Sequence, residues 1–464
     1  MSWTRSAVLE ATRGTLLQGS PEGAVARIST DTRRIGLGDA FVALRGDNHD
    51  AHGFLESAVE KGAGTLVVSR PRREWSADVP AHVTVIQVPD TLVALGDLAR
   101  YHRLRFTIPV VGITGSNGKT STKEMVSAIL SQRNRVLKNQ GNFNNLVGVP
   151  LTLLSMEPEH EIAVVEMGIN VPGEMERLVR MAVPTAGIIT NIHPAHLEGL
   201  GSLDRILDEK GKLISSLGPQ GVAAINLDDE LLERFSKTLE AGLVTYSLHR
   251  TEAMVVLAGP VEVNEGVSIF PVNFGKETLR VRLPVLGMHQ VQNALAAAAL
   301  AWSLGESPQA IAEGLSLHQP VKQRMQRHLL EGGRILIDDT YNANPKSVLA
   351  SVRAVLTASS GKPVVAVLGE MRELGPRSAA LHYEVGHQVG SLGVRYLITM
   401  GELGREIQRG ARDAGLAPSS CFHAQTHEEA IERLRDRMPE EAWIVVKGSR
   451  GMTMERVVER MVVQ

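Results

Sequence analysis

Pro109-Val110-Val111-Gly112-Ile113-Thr114-Gly115-Ser116-Asn117-Gly118-Lys119-Thr120-Ser121 reads as an apolar strand that breaks into a glycine-rich loop and closes on Lys-Thr. Such a loop can wrap its backbone N–H groups around nucleotide phosphates. Lys119 then reaches the β- and γ-phosphates, and the Thr120 hydroxyl suits a Mg²⁺ ion. Gly115, Ser116, Asn117, Gly118 and Ser121 complete the expected ATP cradle. A helix predicted from about Thr120 through Leu130 points its positive end at the same anion. The spacing departs from a strict P-loop, which sets a glycine five positions before the Gly-Lys pair. That position is Ile113, and glycines stand at 112 and 115 instead. The rival reading is a structural turn, against which stand the preceding strand and three glycines within seven residues.

At 464 residues the chain exceeds what one core usually supports, so two or three domains are expected. With 43% hydrophobic and 22% charged residues it has the composition of a soluble globular protein. Its net charge of −2, without a long basic run, argues against nucleic acid or an anionic membrane as partner. The single cysteine, Cys421, cannot form an internal disulfide, which fits a reducing cytoplasm. The amino-terminal residues lack the apolar core of a signal peptide. The longest apolar run, 294–302, is far too short to span a bilayer. The expectation is a cytoplasmic protein without stable membrane insertion.

Ahead of the loop, residues 16–17, 38–44 and 64–68 read as short strands, and a polar, proline-bearing stretch follows at 69–80. Leu92, Leu95, Leu98 and Ala99 then recur at helical spacing over 91–103, a connector into the nucleotide region. Beyond it one arrangement repeats: an apolar strand that ends in polar or glycine residues. Residues 162–165 run into Glu166-Met167-Gly168, 186–190 into Asn191, His193 and His196, and 222–225 into Asn226, Asp228 and Asp229. Such strands, separated by helical stretches, indicate a parallel sheet covered on both faces, with ligands beyond the strands' carboxyl ends. A further set begins near residue 320: 335–337 into Asp338-Asp339, 364–368 into Gly369-Glu370, 396–399 into Met400-Gly401, and 443–446 into Lys447-Gly448-Ser449-Arg450. The predicted fold is α/β in three domains. A small α/β domain spans 1–88, a central P-loop ATPase-like domain with a parallel sheet spans 89–318, and a Rossmann-like domain spans 319–464.

Glu166, His193 and His196 are the metal candidates, since a hard cation beside ATP favours carboxylate oxygen and tolerates imidazole. The alternatives are a zinc pair or two hydrogen-bonded loop histidines; one cysteine and no His-Glu-x-x-His pattern leave zinc poorly supported. Lys210 lies in a helical pattern over 203–217 and by itself reads as a solvated lysine. His289 and Asn293, four apart at the head of an alanine-rich helix over 291–304, share a face. They either cap that helix or aim at the nucleotide. Arg324, near the second domain boundary, is placed where an arginine could cross to a phosphate.

Taken together these segments resemble the Mur ligases of bacterial cell-wall synthesis across essentially the whole chain. The resemblance rests on residues 112–120, Glu166-Met167-Gly168, 191–196, 287–293 and the third-domain loops. Three strings point to the branch that adds D-alanyl-D-alanine to UDP-N-acetylmuramoyl-tripeptide. They are Gln140-Gly141-Asn142-Phe143-Asn144-Asn145 with Gly148-Val149-Pro150-Leu151-Thr152, Asp338-Asp339 with Tyr341-Asn342-Ala343-Asn344-Pro345, and Lys447-Gly448-Ser449-Arg450.

The resemblance implies an ATP- and Mg²⁺-dependent ligase, monomeric, whose domains bind the UDP-sugar peptide, ATP and the incoming amino component in turn. Glu166 and His196, with Thr120, would hold Mg²⁺, and Lys210 would be carbamylated by CO₂ to serve a second ion. His289, Asn293, Arg324 and Asp339 would meet the nucleotide. Ser29, Thr30, Asp31, Thr32, Asn48 and His49 fall in the region that resembles the uridine-nucleotide site. Asn142, Asn144, Asn145, Asn342, Ser449 and Arg450 would lie near the peptide substrates. The sequence departs from the family's pattern at Gln290, Ala51 and Lys212, where Asn, Gly and an acidic residue are common. Lys212 sets a second cation two residues from the carbamate position. Rival readings are a relative that adds a single amino acid, although its Asp-Asn-Pro-Arg motif is absent, and a non-catalytic ATP-binding switch.

Overall fold

Alternating apolar residues set the first sheet. The computed structural model describes residues 3–46, 49–71, 74–75, 78–194 and 200–462. Contacts divide the chain into two units, Met1–Gly112 with Asn134–Ala186, and Ile113–Arg133 with Gly187–Gln464. In the first unit five strands run in the order Thr15–Gln18, Thr84–Gln87, Thr65–Val68, Ala40–Val42 and Ile28–Ser29. The first pair is antiparallel and the rest are parallel. Both faces are covered, as the side-chain period of two dictates. Val42, Val67 and Ile86 pack with Leu95 and Leu98 of the helix Thr91–Arg103, whereas Phe41, Leu66 and Val85 pack with Leu55 and Ala58. Asp90 caps that helix by accepting from the Leu92 and Val93 N–H groups.

The second unit holds the rest of the chemistry. The helix Lys119–Leu130 packs against Met288–Ser303, whose alanines bury it on nearly every side. Val222–Asn226, Gly242–Ser247 and Val255–Leu257 pair in parallel. Beyond them the sheet turns antiparallel through Val267–Phe274, which pairs with Glu262–Asn264 and with Glu277–Leu283. This antiparallel flank extends the expected parallel sheet. The hairpin between 274 and 277 turns at Gly275, at φ +66°, and Glu277–Leu283 alternates buried and exposed, as a strand with one wet face does.

A six-stranded sheet follows, in the order Gln326–Leu329, Ile335–Asp338, Trp443–Lys447, Val364–Leu368, Tyr396–Met400 and Cys421–Ala424. Only its first pair is antiparallel. Ile337, Ala366 and Val445 feed one core and Leu336, Val367 and Val446 the other. Each such valine, leucine or isoleucine contributes roughly 1.5–3 kcal/mol by leaving water. The last-placed strand lies at the centre, so the loops after residues 338, 368 and 447 gather at one end of the sheet. Among the described residues no helix is long and apolar enough to cross a membrane.

Candidate active site

The phosphate loop is shaped by two glycines and tied down by the strand end beside it. Gly115 has φ +145°, and a Cβ there would lie 1.9 Å from Thr190 Oγ1. Gly118 has φ +81°, and its Cβ would lie 2.2 Å from Asn293 Oδ1. Side chains are excluded at both positions. Gly112 and Ile113, by contrast, lie within the strand Val110–Thr114, and Ile113 is wholly buried. The turn therefore begins later than in a strict P-loop, because residue 113 is committed to the core. Asn191 holds the loop by accepting from Asn117 N–H at 2.9 Å and from Ser116 N–H at 2.9 Å. Thr190 Oγ1 donates to Asn117 O at 2.5 Å, and Ser116 Oγ to His193 O at 2.8 Å. Lys119 folds back onto the loop, donating to Gly115 O at 2.9 Å. Thr120 and Ser121 are buried in the first turn of the helix.

Residues from beyond position 319 reach the same loop. Arg324 donates to Thr120 Oγ1 at 3.1 Å with its guanidinium 4.1 Å above the Tyr341 ring. Its neighbours Gln323 and Met325 have φ +61° and +53°, so a strained turn presents it. Asn344 Nδ2 donates to Asn117 Oδ1 at 2.6 Å, while its Oδ1 caps the helix Pro345–Ala358. Lys346 Nζ lies 3.1 Å from His193 Nδ1. Asn344 and Lys346 were not among the expected site residues; Asn344 closes the Tyr-Asn-Ala-Asn string and Lys346 lies two residues past it, where nothing local distinguishes a cap from a contact.

His289 and Asn293 do not cap their helix, whose N-cap is Gly287 with no side-chain bond. Asn293 lies against Gly118 and donates to Gln290 Oε1 at 3.1 Å, so the residue that departs from the family's pattern orients it. Burial pushes His289 down to about 4, against the pull of Asp339, leaving it neutral at pH 7. Asp339 is fully engaged. Its Oδ2 meets Lys447 Nζ at 2.6 Å and Ser351 Oγ at 2.5 Å, and its Oδ1 accepts from Met325 N–H at 3.2 Å. Lys447, overlooked in the sequence because it ends an apolar strand, thereby fixes the turn that carries Arg324.

Lys210 corrects the expectation of a solvated lysine. It lies on the inner face of the helix Leu203–Ser215, 1% exposed. Among the described residues its Nζ has no hydrogen-bond partner. Burial, and then the Lys119 charge, hold its pKa well below the usual amine range. A neutral amine is the form that adds to CO₂, so this orphaned nitrogen fits a carbamate. The cation at Lys212 does not disturb it: Lys212 Nζ pairs with Glu209 Oε1 at 2.7 Å, one turn back. His196 lies outside the described residues.

The first unit holds the remaining candidates. Glu166 is buried, its Oε1 accepting from Asn144 Nδ2 at 2.8 Å and its N–H donating to Asn139 Oδ1 at 2.9 Å. Asn145 accepts from the Val147 and Gly148 N–H groups and starts the next helix, and Asn142 O accepts from Asn144 N–H. His49 lines a cavity of about 350 Å³ with Leu44, Arg45, Phe54, Leu92 and Val147. Ser29 and Asp31 close a turn of their own, Thr30 is half-buried beside it, and Thr32 O accepts from Lys61. The Arg33 guanidinium holds Asp31 at about 2. Asn48 lies outside the described residues.

In the third-domain loops, Asn342 O accepts from Lys447 Nζ at 2.8 Å. Ser449 is buried, its hydroxyl accepting from Arg372 N–H at 2.8 Å and donating to Ala343 O at 3.3 Å. Arg450 pairs with Glu455 at 2.8 Å.

Three family models match this chain: the Mur ligase family catalytic domain at residues 24–103, the Mur ligase middle domain at 113–301, and the Mur ligase glutamate ligase domain at 323–450. The UDP-N-acetylmuramoyl-tripeptide–D-alanyl-D-alanine ligase of Escherichia coli K12 is 36% identical over 451 residues, 96% of each chain. A crystal structure of MurF from Acinetobacter baumannii superposes with a TM-score of 0.90 at 32% identity, covering 100% of this chain and 99% of that one. MurF from Thermotoga maritima, solved in complex with ADP, gives 0.83 at 26% identity over 94% and 97%.

Proposed function

The chain belongs to the Mur ligase family, and we propose that it joins D-alanyl-D-alanine to UDP-N-acetylmuramoyl-tripeptide at the expense of ATP. The products are UDP-N-acetylmuramoyl-pentapeptide, ADP and phosphate, made in the cytoplasm by a monomer as a precursor of peptidoglycan. The end-to-end similarity to ligases of that name carries the reading. Residues 1–88 would hold the UDP-sugar peptide, 89–318 the ATP, and 319–464 the dipeptide.

A carboxylate acylates poorly because its oxygen leaves badly, so it is first phosphorylated. Bringing it to the γ-phosphate sets anion against anion. Lys119, released from Gly115 O by the incoming phosphates, offsets that repulsion, and the first N–H groups of the helix Lys119–Leu130 receive the phosphates. Asn191, which accepts from the Ser116 and Asn117 N–H groups, and Thr190, which donates to Asn117 O, hold the loop in shape before substrate arrives. Arg324 is positioned to exchange Thr120 Oγ1 for a phosphate oxygen. The dipeptide amine then attacks the acyl phosphate through a tetrahedral intermediate, and phosphate leaves. The Thr120 hydroxyl, Glu166, His196 and a carbamylated Lys210 are the residues that would hold Mg²⁺, which when bound neutralises charge on the transferring phosphoryl group. No protein nucleophile is needed.

The test mixes the purified protein with ATP, Mg²⁺ and UDP-N-acetylmuramoyl-tripeptide, and compares D-alanyl-D-alanine with single amino acids by ADP release and product mass. The dipeptide alone should support turnover. Product with a single amino acid and none with the dipeptide would overturn the reading. Lys119→Ala should lower turnover on the order of 10²–10³-fold.

A further inference from the structure

Of the third-domain residues expected near the peptide substrates, Asn342, Ser449 and Arg450, none presents an available charge. The Ser449 hydroxyl is buried and committed to Arg372 N–H and Ala343 O. The Arg450 guanidinium is committed to Glu455. A dipeptide with a free carboxyl terminus nevertheless brings an anion to this end of the sheet, and a guanidinium receives a carboxylate through two parallel hydrogen bonds.

Arg372 answers that description. It belongs to the loop 369–375 that follows Val364–Leu368, and its counterpart 448–452 follows Trp443–Lys447. The two strands are parallel neighbours, with Leu368 opposite Lys447, so the loops leave the sheet side by side beyond its carboxyl ends, where such sheets bind ligands. The backbone of the Arg372 loop is pinned at successive residues. Ser449 N–H donates to Glu370 O at 2.9 Å, Met371 N–H to His382 Nε2 at 2.9 Å, and Arg372 N–H to Ser449 Oγ at 2.8 Å. His382 is wholly buried, and its Nδ1 lies 2.7 Å from Ser378 O, so the imidazole accepts on one side and donates on the other. Glu370, two residues before it, is turned away to accept from Leu403 N–H at 2.8 Å, and the adjacent Glu373 sits in a left-handed turn at φ +63°.

The Arg372 side chain is exposed and lies flat against Gly451, where a Cβ would stand 2.2 Å from Nη1. Among the described residues no carboxylate pairs with it; its Nη2 donates to Met452 Sδ at 4.0 Å. The charge is thus held in place by backbone bonds and a glycine, and left open to solvent.

We propose that Arg372 receives the terminal carboxylate of the incoming dipeptide and so selects a free acid at that end. The proposal rests on the ligase reading above. It is tested by steady-state kinetics on the full chain with D-alanyl-D-alanine and with its terminal carboxamide, for the unsubstituted protein, Arg372→Ala and Arg372→Lys. A charged hydrogen-bond pair contributes about 1.5–3 kcal/mol, which is roughly ten- to a hundredfold in KM. Arg372→Ala should raise the KM for D-alanyl-D-alanine by that factor while kcat and the KM for ATP stay within about threefold. The unsubstituted protein should disfavour the carboxamide by a similar factor, Arg372→Ala should treat both dipeptides alike, and Arg372→Lys should recover part of the preference. Unchanged KM in Arg372→Ala, or an undiminished preference for the acid, would overturn the proposal while leaving the ligase reading intact. Absence of any dipeptide-dependent ADP release by the unsubstituted protein would remove the ligase reading and this one with it.

Discussion

Two lysines buried in the same unit stand in opposite circumstances. Lys447 ends a central strand with its ammonium against Asp339 Oδ2 at 2.6 Å and Asn342 O at 2.8 Å. Lys210 lies as deep, yet among the described residues nothing accepts from it. A buried charge with good partners is structural: it fixes the Asp339 loop and, through Met325 N–H, the turn that holds Arg324. A buried amine without partners sheds its proton instead. Burial alone therefore does not mark a functional lysine; burial without compensation does.

The comparison can be broken most severely at Lys447. Lys447→Met leaves Asp339 buried and short of its counter-charge, and should cost about 3–5 kcal/mol in urea unfolding. A stability loss well under 1 kcal/mol would mean that the pair is not structural. Lys210→Ala should act the other way, keeping the fold and lowering ADP release on the order of 10²–10³-fold. Wild-type turnover in that variant would remove Lys210 from the proposed chemistry. The difference also appears as pH dependence in CO₂-free buffer. Burial and the Lys119 charge lower the folded amine's pKa well below the 10.5 of the unfolded chain, so between the two values the unfolded state binds more protons. Lys210 thus makes stability rise with pH from its lowered folded value towards 10.5, and Lys210→Met should flatten that rise in urea midpoints measured from pH 7 to 10. The smallest effect belongs to Lys212, whose half-buried bridge to Glu209 contributes about 1 kcal/mol, so Lys212→Met should lower the urea midpoint slightly and leave turnover nearly unchanged.

What could be read from the sequence was what depends on neighbours along the chain. The helix Thr91–Arg103 falls where its leucine spacing put it, and the strand, loop and helix over 109–130 follow from apolar run, glycines and Lys-Thr in succession. Residues 242–283 went unread because strands such as Glu277–Leu283 alternate buried with exposed residues and do not form the continuous apolar runs that mark the rest of the sheet. The solvated reading of Lys210 failed for a related reason. Helical spacing tells which residues share a face but not which face turns inward. Lys212 looked disruptive because its acidic partner precedes it by one turn instead of following it. Arg372 carries no local signal at all; its prominence arises from bonds made to Ser449 and His382 elsewhere in the chain.

The division of the chain into units has a consequence for its synthesis. The first unit is closed by Asn134–Ala186, and between its two parts the chain spends Ile113–Arg133 in the second. A ribosome thus delivers the phosphate loop long before Gly187–Gln464, the partners that tie it down, have been made. A cut after Ala186 keeps the first unit whole but takes Ile113–Arg133 away from the second, so no single cut separates the two units intact. The nascent loop waits unfinished until the carboxyl-terminal half emerges.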